Sequence, residues 1–204
     1  MARENAFGSQ FLGLYLFRNK GEMVFHSSLK KKGIIKIAEA LGLKPVPVEV
    51  DTLLLGVFFS GNQHGAIGSF EIPGTTMLET RYTALGNLIL CNSTGAVISP
   101  AIEDHAKLVK KALKVKTVVS TIAGMETVGT LGLCNDTGCL VHPAATDAEI
   151  AIIEKILKTR VEPGKIAGSG FIGSFALATN KGLAIPRGTM APDMTHAMEV
   201  LGIE

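Results

Sequence analysis

The residues whose types could carry out covalent chemistry are few: the three cysteines Cys91, Cys134 and Cys139, set against five histidines. A thiol beside an imidazole and a carboxylate could attack an electrophilic carbon. Cys91 and Cys134, however, occupy equivalent places in LCNSTG and LCNDTG, two copies of one segment. A nucleophile should be singular, so symmetric placement indicates small apolar strand residues. Cys139 and His142 are three apart, a spacing that puts them on opposite faces of a strand. Cys134, Cys139 and His142 match no zinc spacing and supply only three ligands, so neither a metal nor another cofactor is expected. His64 and His142 are assigned as turn or strand residues with backbone partners.

A second class of chemistry is polyanion binding. Lys30, Lys31, Lys32 and Lys36 make a basic start to one helical stretch, and Lys107, Lys110, Lys111, Lys114 and Lys116 form another cluster. RNA would be their partner, although on amphipathic helices such clusters are ordinarily a solvated face. The net charge is only +2, from 20 Lys and Arg against 18 Asp and Glu, so there is no overall electrostatic case for binding naked nucleic acid. With 47% hydrophobic and 19% charged residues the chain is not of the disordered class. No apolar run approaches the ~18 residues of a membrane span. An odd number of thiols behind a start that lacks signal-peptide character leads us to expect a reducing cytoplasm.

Glycine accounts for 23 of the 204 residues, about 11% against a usual ~7%, and repetition explains the excess. FLGLYLFRNKG, LLGVFFSGNQHG, ALGNLILCNSTG, TVGTLGLCNDTG and FIGSFALATNKG share one pattern: an apolar residue, Gly, an apolar run, an Asn turn, Gly. Each copy is expected to be a β-hairpin with the leading Gly at the strand start, and Asn62, Asn92 and Asn135 are expected where a turn needs left-handed backbone. A helix should follow each hairpin. In the fourth copy Thr146 and Glu149 form a capping box ahead of the stripe Ile150, Ile153, Ile156 and Leu157. A β-branched run then leads to the next hairpin, which makes a ββαβ unit. The leading glycines Gly13, Gly56, Gly86, Gly129 and Gly173 are 43, 30, 43 and 44 residues apart. The second unit is therefore short, and its FEIPGTTMLET stands where a helix would be.

Units of this size cannot each bury a core and must pack on one another. Both end hairpins are as apolar as the middle ones, which favours a closed ring with strands near the axis and helices outside. The expected organisation is one α/β ring domain over 1–204, with repeats near 1–50, 51–80, 81–122, 123–164 and 165–204.

ALGNLILCNSTGAVISP, TVGTLGLCNDTGCLVHP, GNQHG and IGSFALATNKG resemble the translation initiation factor 6 family, in repeat order over the whole chain. The resemblance implies a pentein-type, five-fold pseudosymmetric α/β propeller, the family pattern being broken where the second repeat lacks its helix. It also implies a non-enzymatic activity: binding the large (50S) ribosomal subunit, blocking its association with the small (30S) subunit, and acting late in large-subunit maturation. The implied partner is a large-subunit protein beside the sarcin-ricin loop, with rRNA close by. Carried over by motif, the implied binding residues are Gly13, Leu54, Gln63, Asn87 and Phe171. Gln63 and Val57 stand where the family often has basic residues, which would leave the contact more apolar. Penteins also include guanidine-modifying hydrolases, and these stand as the alternative. A monomer is expected.

Overall fold

The computed structural model describes residues 1–5, 8–29 and 31–204, the side chain of Lys31 excepted. The first strand, β1 (Ala2–Arg3), is followed by the first unit: α1 (Leu12–Tyr15), β2 (Phe17–Asn19), β3 (Glu22–His26), α2 (Lys31–Leu41) and β4 (Lys44–Val48). The second unit has α3 (Leu55–Phe58), β5 (Phe59–Gly61), β6 (Ala66–Gly68) and β7 (Thr76–Met77). The third comprises α4 (Leu85–Leu88), β8 (Ile89–Cys91), β9 (Gly95–Ile98), α5 (Ala106–Leu113) and β10 (Lys116–Val119). The fourth comprises α6 (Val128–Leu131), β11 (Gly132–Cys134), β12 (Gly138–Val141), α7 (Asp147–Leu157) and β13 (Arg160–Pro163). The fifth has α8 (Ile172–Phe175), β14 (Leu177–Thr179), β15 (Gly182–Ile185) and α9 (Ala191–Leu201).

The strands form five separate three-stranded sheets. In each, the hairpin is antiparallel and the third strand pairs parallel to the second, as Gly138–Val141 does with Arg160–Pro163. The fifth sheet takes its third strand from the other end of the chain, because Ala2 and Arg3 pair with Ala184 and Ile185. Behind that strand, Glu4 is buried between Lys36 and Arg187 at 3.2 and 2.7 Å. The Arg187 guanidinium, then Lys36, hold its carboxyl below the ordinary range.

The leading glycines are not at strand starts. Each is the second residue of a one-turn helix whose first residue, Leu12, Leu55, Leu85, Val128 or Ile172, is fully buried. The reason is steric. A Cβ on Gly56 would overlap the carbonyl oxygen of Gly13; one on Gly86 that of Gly56, one on Gly129 that of Gly86, one on Gly173 that of Gly129, and one on Gly13 that of Gly173. The circuit closes on itself, and the five one-turn helices follow one another around it. Each apolar cluster accordingly joins two neighbouring units. Phe17 and Val24 pack with Leu55 and Phe59, and Leu12 and Leu41 share a core with Ala184 and Leu177 of the fifth unit.

The repeated asparagines are structural, but not through left-handed backbone, since none of them has a positive φ. Asn62, Asn92 and Asn135 are buried, and each side-chain amide bridges to the next unit. Asn62 Nδ2 donates to the carbonyls of Asn92 (2.9 Å) and Leu113 (3.0 Å), Asn92 to Asn135 (3.1 Å) and Leu157 (2.9 Å), and Asn135 to Thr179 (3.1 Å) and Leu201 (2.8 Å). Leu113, Leu157 and Leu201 are the last residues of their helices, so the amides satisfy carbonyls that helix geometry leaves open. Each Oδ1 meanwhile accepts two backbone N–H groups of its own turn, as Asn135 does from Thr137 and Gly138. In the fifth unit Thr179, rather than Asn180, fills the equivalent place, and its hydroxyl donates to Leu41 at 2.7 Å.

The second unit has no helix between Gly61 and Ala84. A turn at Pro73 and Gly74, with Thr75 N–H on Ile72 O at 3.1 Å, folds Ile72 and Phe70 back onto Phe59, whose ring centroid lies 4.8 Å from that of Phe70. The neighbouring first unit records the loss: among the described residues Asn19 Nδ2 reaches only Gly74 O, at 3.3 Å, and its buried Oδ1 has no partner.

The capping box of α7 is formed as expected, and it does more. Besides the Thr146 N–H (2.9 Å), the Glu149 carboxylate accepts from Ala123 N–H (3.0 Å), Gly124 N–H (2.9 Å) and the Thr121 hydroxyl (2.7 Å), anchoring the chain that enters the fourth unit. Burial alone would raise its pKa, but hydrogen bonds from Thr146, Gly124 and Thr121 outweigh it and bring the pKa to about 2.

Two outcomes follow from this geometry. Gly86→Ala should cost about 2–3 kcal/mol, a fall of roughly 5–10 °C in melting temperature. Gly33→Ala, on a helix with no described atom within 4 Å of the added Cβ, should instead gain about 0.5–1 kcal/mol. A calorimetric scan of both decides whether the close approach or generic glycine flexibility is the requirement. The Glu149 carboxylate titrates below its unfolded value of about 4.3. Its contribution is therefore complete above that pH and disappears as the pH falls towards 2, so the stability gap between the natural protein and Glu149→Gln should close across this window in urea titrations.

Candidate functional site

The residue just before each one-turn helix is apolar or small: Phe11, Leu54, Ala84, Thr127 and Phe171. Three of these are large and remain in solvent, Phe11 and Leu54 at 36% exposure and Phe171 at 47%, with the adjacent Leu53 at 41%. All three are held in place by the same device. The backbone N–H of Phe11 donates to Ser9 Oγ, that of Leu54 to Thr52 Oγ1 and that of Phe171 to Ser169 Oγ, each at 3.2 Å. A hydroxyl two residues upstream thus fixes an apolar side chain outward. Further, the Phe11 ring lies 4.6 Å from Phe175 of the fifth unit, and the Phe171 ring stands edge-on to His142 of the fourth at 6.1 Å. Because the one-turn helices touch in a circuit, these side chains share one rim of the molecule.

The five residues singled out from the sequence fall in different places. Leu54 and Phe171 stand on this rim. Asn87, third residue of α4, is half-buried beside Gly129 and shows no side-chain hydrogen bond with any described residue. Gly13 lies beneath the rim, against Gly173, where it can offer only backbone. Gln63 is exposed, but in the turn at the opposite end of the β5–β6 hairpin, next to His64, whose Nε2 lies 3.1 Å from Ser93 O. The sequence reading omitted Phe11 and Leu53. The repeat alignment contained the signal for Phe11, since it occupies the place of Phe171.

Between the rim and the turns runs a narrow central channel of about 120 Å³ lined by the five leading glycines, Arg18, Ser60, Cys91 and Cys134. Burial raises the Cys91 thiol to about 11, and Cys134, hydrogen-bonded to Cys139 and equally buried, is pushed well up. Cys134 donates to Cys91 O at 3.1 Å. Burial thus favours the protonated thiol at both positions. His142 lies outside the channel, with Nδ1 accepting from Ala144 N–H at 3.1 Å. Among the described residues no group of three or more His, Cys, Asp and Glu is placed to hold a metal, and no helix is long and apolar enough to cross a membrane.

At the turn end, Asp136 accepts from Ser93 N–H (2.8 Å) and Asn180 Nδ2 (2.6 Å), bridging three units. Burial opposes its charge, yet these bonds bring its pKa down. Of the basic start to α2, Lys30 and the side chain of Lys31 lie outside the described residues; Lys32 is exposed and Lys36 pairs with Glu4. Of the second lysine cluster, Lys107, Lys110 and Lys111 lie on α5, Lys114 ends that helix and Lys116 begins β10.

A family model described as the eIF-6 family matches residues 1–200. The chain is 30% identical to translation initiation factor 6 of Saccharolobus islandicus (strain L.S.2.15 / Lassen #1) over 224 residues, covering 99% of each chain. It is 33% identical to translation initiation factor 6 of Methanocella arvoryzae over 210 residues, 96% of this chain and 95% of the relative. To that of Pyrococcus abyssi it is 26% identical over 216 residues, 96% and 95% of the two chains.

The thiol environments make a kinetic prediction. In the native protein Cys91, Cys134 and Cys139 should react with an aromatic disulfide reagent no faster than the chain unfolds, and at unfolded-thiol rates in denaturant; prompt native labelling of one cysteine would show an activated thiol.

Proposed function

The chain belongs to the eIF-6 family, and on that premise we propose that this translation initiation factor binds the large (50S) ribosomal subunit and prevents its association with the small (30S) subunit. We extend the proposal to late large-subunit maturation, in the cytoplasm, by the same docking event. The observation that carries the reading is the rim: Phe11, Leu54 and Phe171, equivalent by repeat and separated in sequence, are held outward on one edge by three identical hydrogen bonds. Rigid aromatic and aliphatic anchors surrounded by small or polar groups such as Ala84, Asn87 and Thr127 are what a protein-binding surface requires. The docking partner we assign to it is a large-subunit protein near the sarcin-ricin loop.

Blocking by occupancy needs no bond-making, only a stiff body and one complementary edge. The five sheets, the glycine circuit and the amide bridges supply stiffness, and we take the arrangement to be a pentein-type α/β propeller acting as a monomer.

Mixed with purified large and small subunits, the protein should shift a sedimentation profile from whole ribosomes to separate subunits. Phe171→Glu and Asn87→Asp should each weaken large-subunit binding about tenfold or more while the melting temperature stays within ~2 °C of the parent, since neither side chain is buried. Undiminished joining at saturating protein would refute the proposal. Equal losses of binding and melting temperature would assign Phe171 and Asn87 to folding instead.

A further inference from the structure

The lysines of α5 do not stand alone. Lys107, Lys110 and Lys111 follow the i, i+3, i+4 spacing that puts them on one side of the helix, away from the buried Val109 and Leu113, and Lys114 is the left-handed residue that ends it. They line a groove of about 1030 Å³ between α5 and α7, together with Lys116 of β10 and with Lys155 and Lys158 at the end of α7. On the other side of α5, a cleft of about 350 Å³ is bounded by Lys111, Lys114, Lys20 and His64. That cleft lies against the second unit, where Gly74 and Thr76 line it in place of a helix. Because Lys111 and Lys114 border both cavities, the two join into one basic track over the end of α5.

The lining of both cavities contains no Asp or Glu, and among the described residues none of these lysines is in an ion pair. With the seven groove lysines removed from a total of +2, the rest of the chain is net negative by five. The charge is therefore segregated. Placement at helix C-termini accounts for Lys110, Lys111 and Lys155 through the macrodipole, but not for Lys107 or Lys116. The floor is aliphatic, with Ile152, Ile156, Val115 and Val118, and among the described residues no aromatic side chain lines the groove.

We propose that this track binds the sugar-phosphate backbone of RNA, independently of base sequence. Ammonium point charges spaced along an open groove neutralise phosphates, whereas base recognition in single strands needs aromatic stacking surfaces that the lining lacks. The track is distinct from the apolar rim, so one molecule engages protein at one surface and RNA at the other. It rests on the subunit-docking proposal only for the source of the RNA.

The test uses the isolated full chain and a fluorescein-labelled RNA hairpin in anisotropy titrations. Binding should be measurable at about 50 mM salt and weaken with a log–log slope of roughly −3 as salt is raised. The variant K107Q/K110Q/K111Q/K155Q should raise Kd about tenfold or more and halve that slope. K32Q/K44Q/K165Q, which alters three exposed lysines outside the track, should change Kd by less than about twofold. Melting temperatures confirm that both variants fold. The proposal is overturned by no binding at low salt, by equal losses in the two variants, or by a polyglutamate peptide competing as well as unlabelled RNA. Phe171→Glu should keep full RNA binding. Failure of subunit blocking with RNA binding intact would then count against the rim reading alone.

Discussion

The architecture depends on the close approach of five backbones. Where Gly13, Gly56, Gly86, Gly129 and Gly173 meet, the Cα of each faces the carbonyl oxygen of a neighbour, with no space for a methyl group. This contact fixes the spacing of the units. The strands that follow converge on a channel of only about 120 Å³, the thiols there are shut away from water, and the residues preceding the one-turn helices are thrown to the opposite edge. Glycine is demanded here by space, since none of the five has a positive φ.

The same logic recurs at the outer ends of the hairpins. Each turn glycine presses against the penultimate residue of the next unit's helix: Gly65 on Ala112, Gly95 on Ile156, Gly138 on Val200 and Gly182 on Ala40. The neighbouring Asn or Thr side chain bonds the last carbonyl of that helix. Gly21 alone meets no described atom, because its partner would be the absent helix of the second unit. The buried Oδ1 of Asn19, without a partner among the described residues, is the second trace of the same omission, a cost of about 1–3 kcal/mol for a buried acceptor. What the second unit loses in hydrogen bonds it regains in part through the stacking of Phe17 on Phe59 and the edge-on contact of Phe70 with Phe59. The omission also bares one flank of α5, and with it Lys111 and Lys114.

Two surfaces of different chemistry are thereby placed on one stiff body. The rim is apolar and built on short-range hydrogen bonds to Ser9, Thr52 and Ser169. The track is cationic and owes its continuity to a missing element. Because the two are separate, covering the rim would not bury the lysines of the track, at several kcal/mol for each unpaired ion.

Much of the fold was legible in the residues. The Asn and Gly spacing revealed five units, the interval of 30 in place of 43 located the missing helix, and Thr146 with Glu149 announced the start of α7. These signals are local, set by turns and caps within a few residues. Leu54 and Phe171, which the family resemblance implied, hold equivalent places in their repeats, and both stand on the rim. The tertiary structure decided the rest. That the leading glycines lie in one-turn helices follows from contact with a neighbouring unit, and so does the role of Asn62, Asn92 and Asn135 as donors to the next unit's helix end. The pairing of Ala2 and Arg3 with the fifth sheet, the distance of Gln63 from the rim, and the gathering of lysines from α5, β10 and α7 into one groove are long-range as well. Sequence spacing specifies what a segment does to itself; which backbone carbonyl it meets in another unit is set only when the units pack.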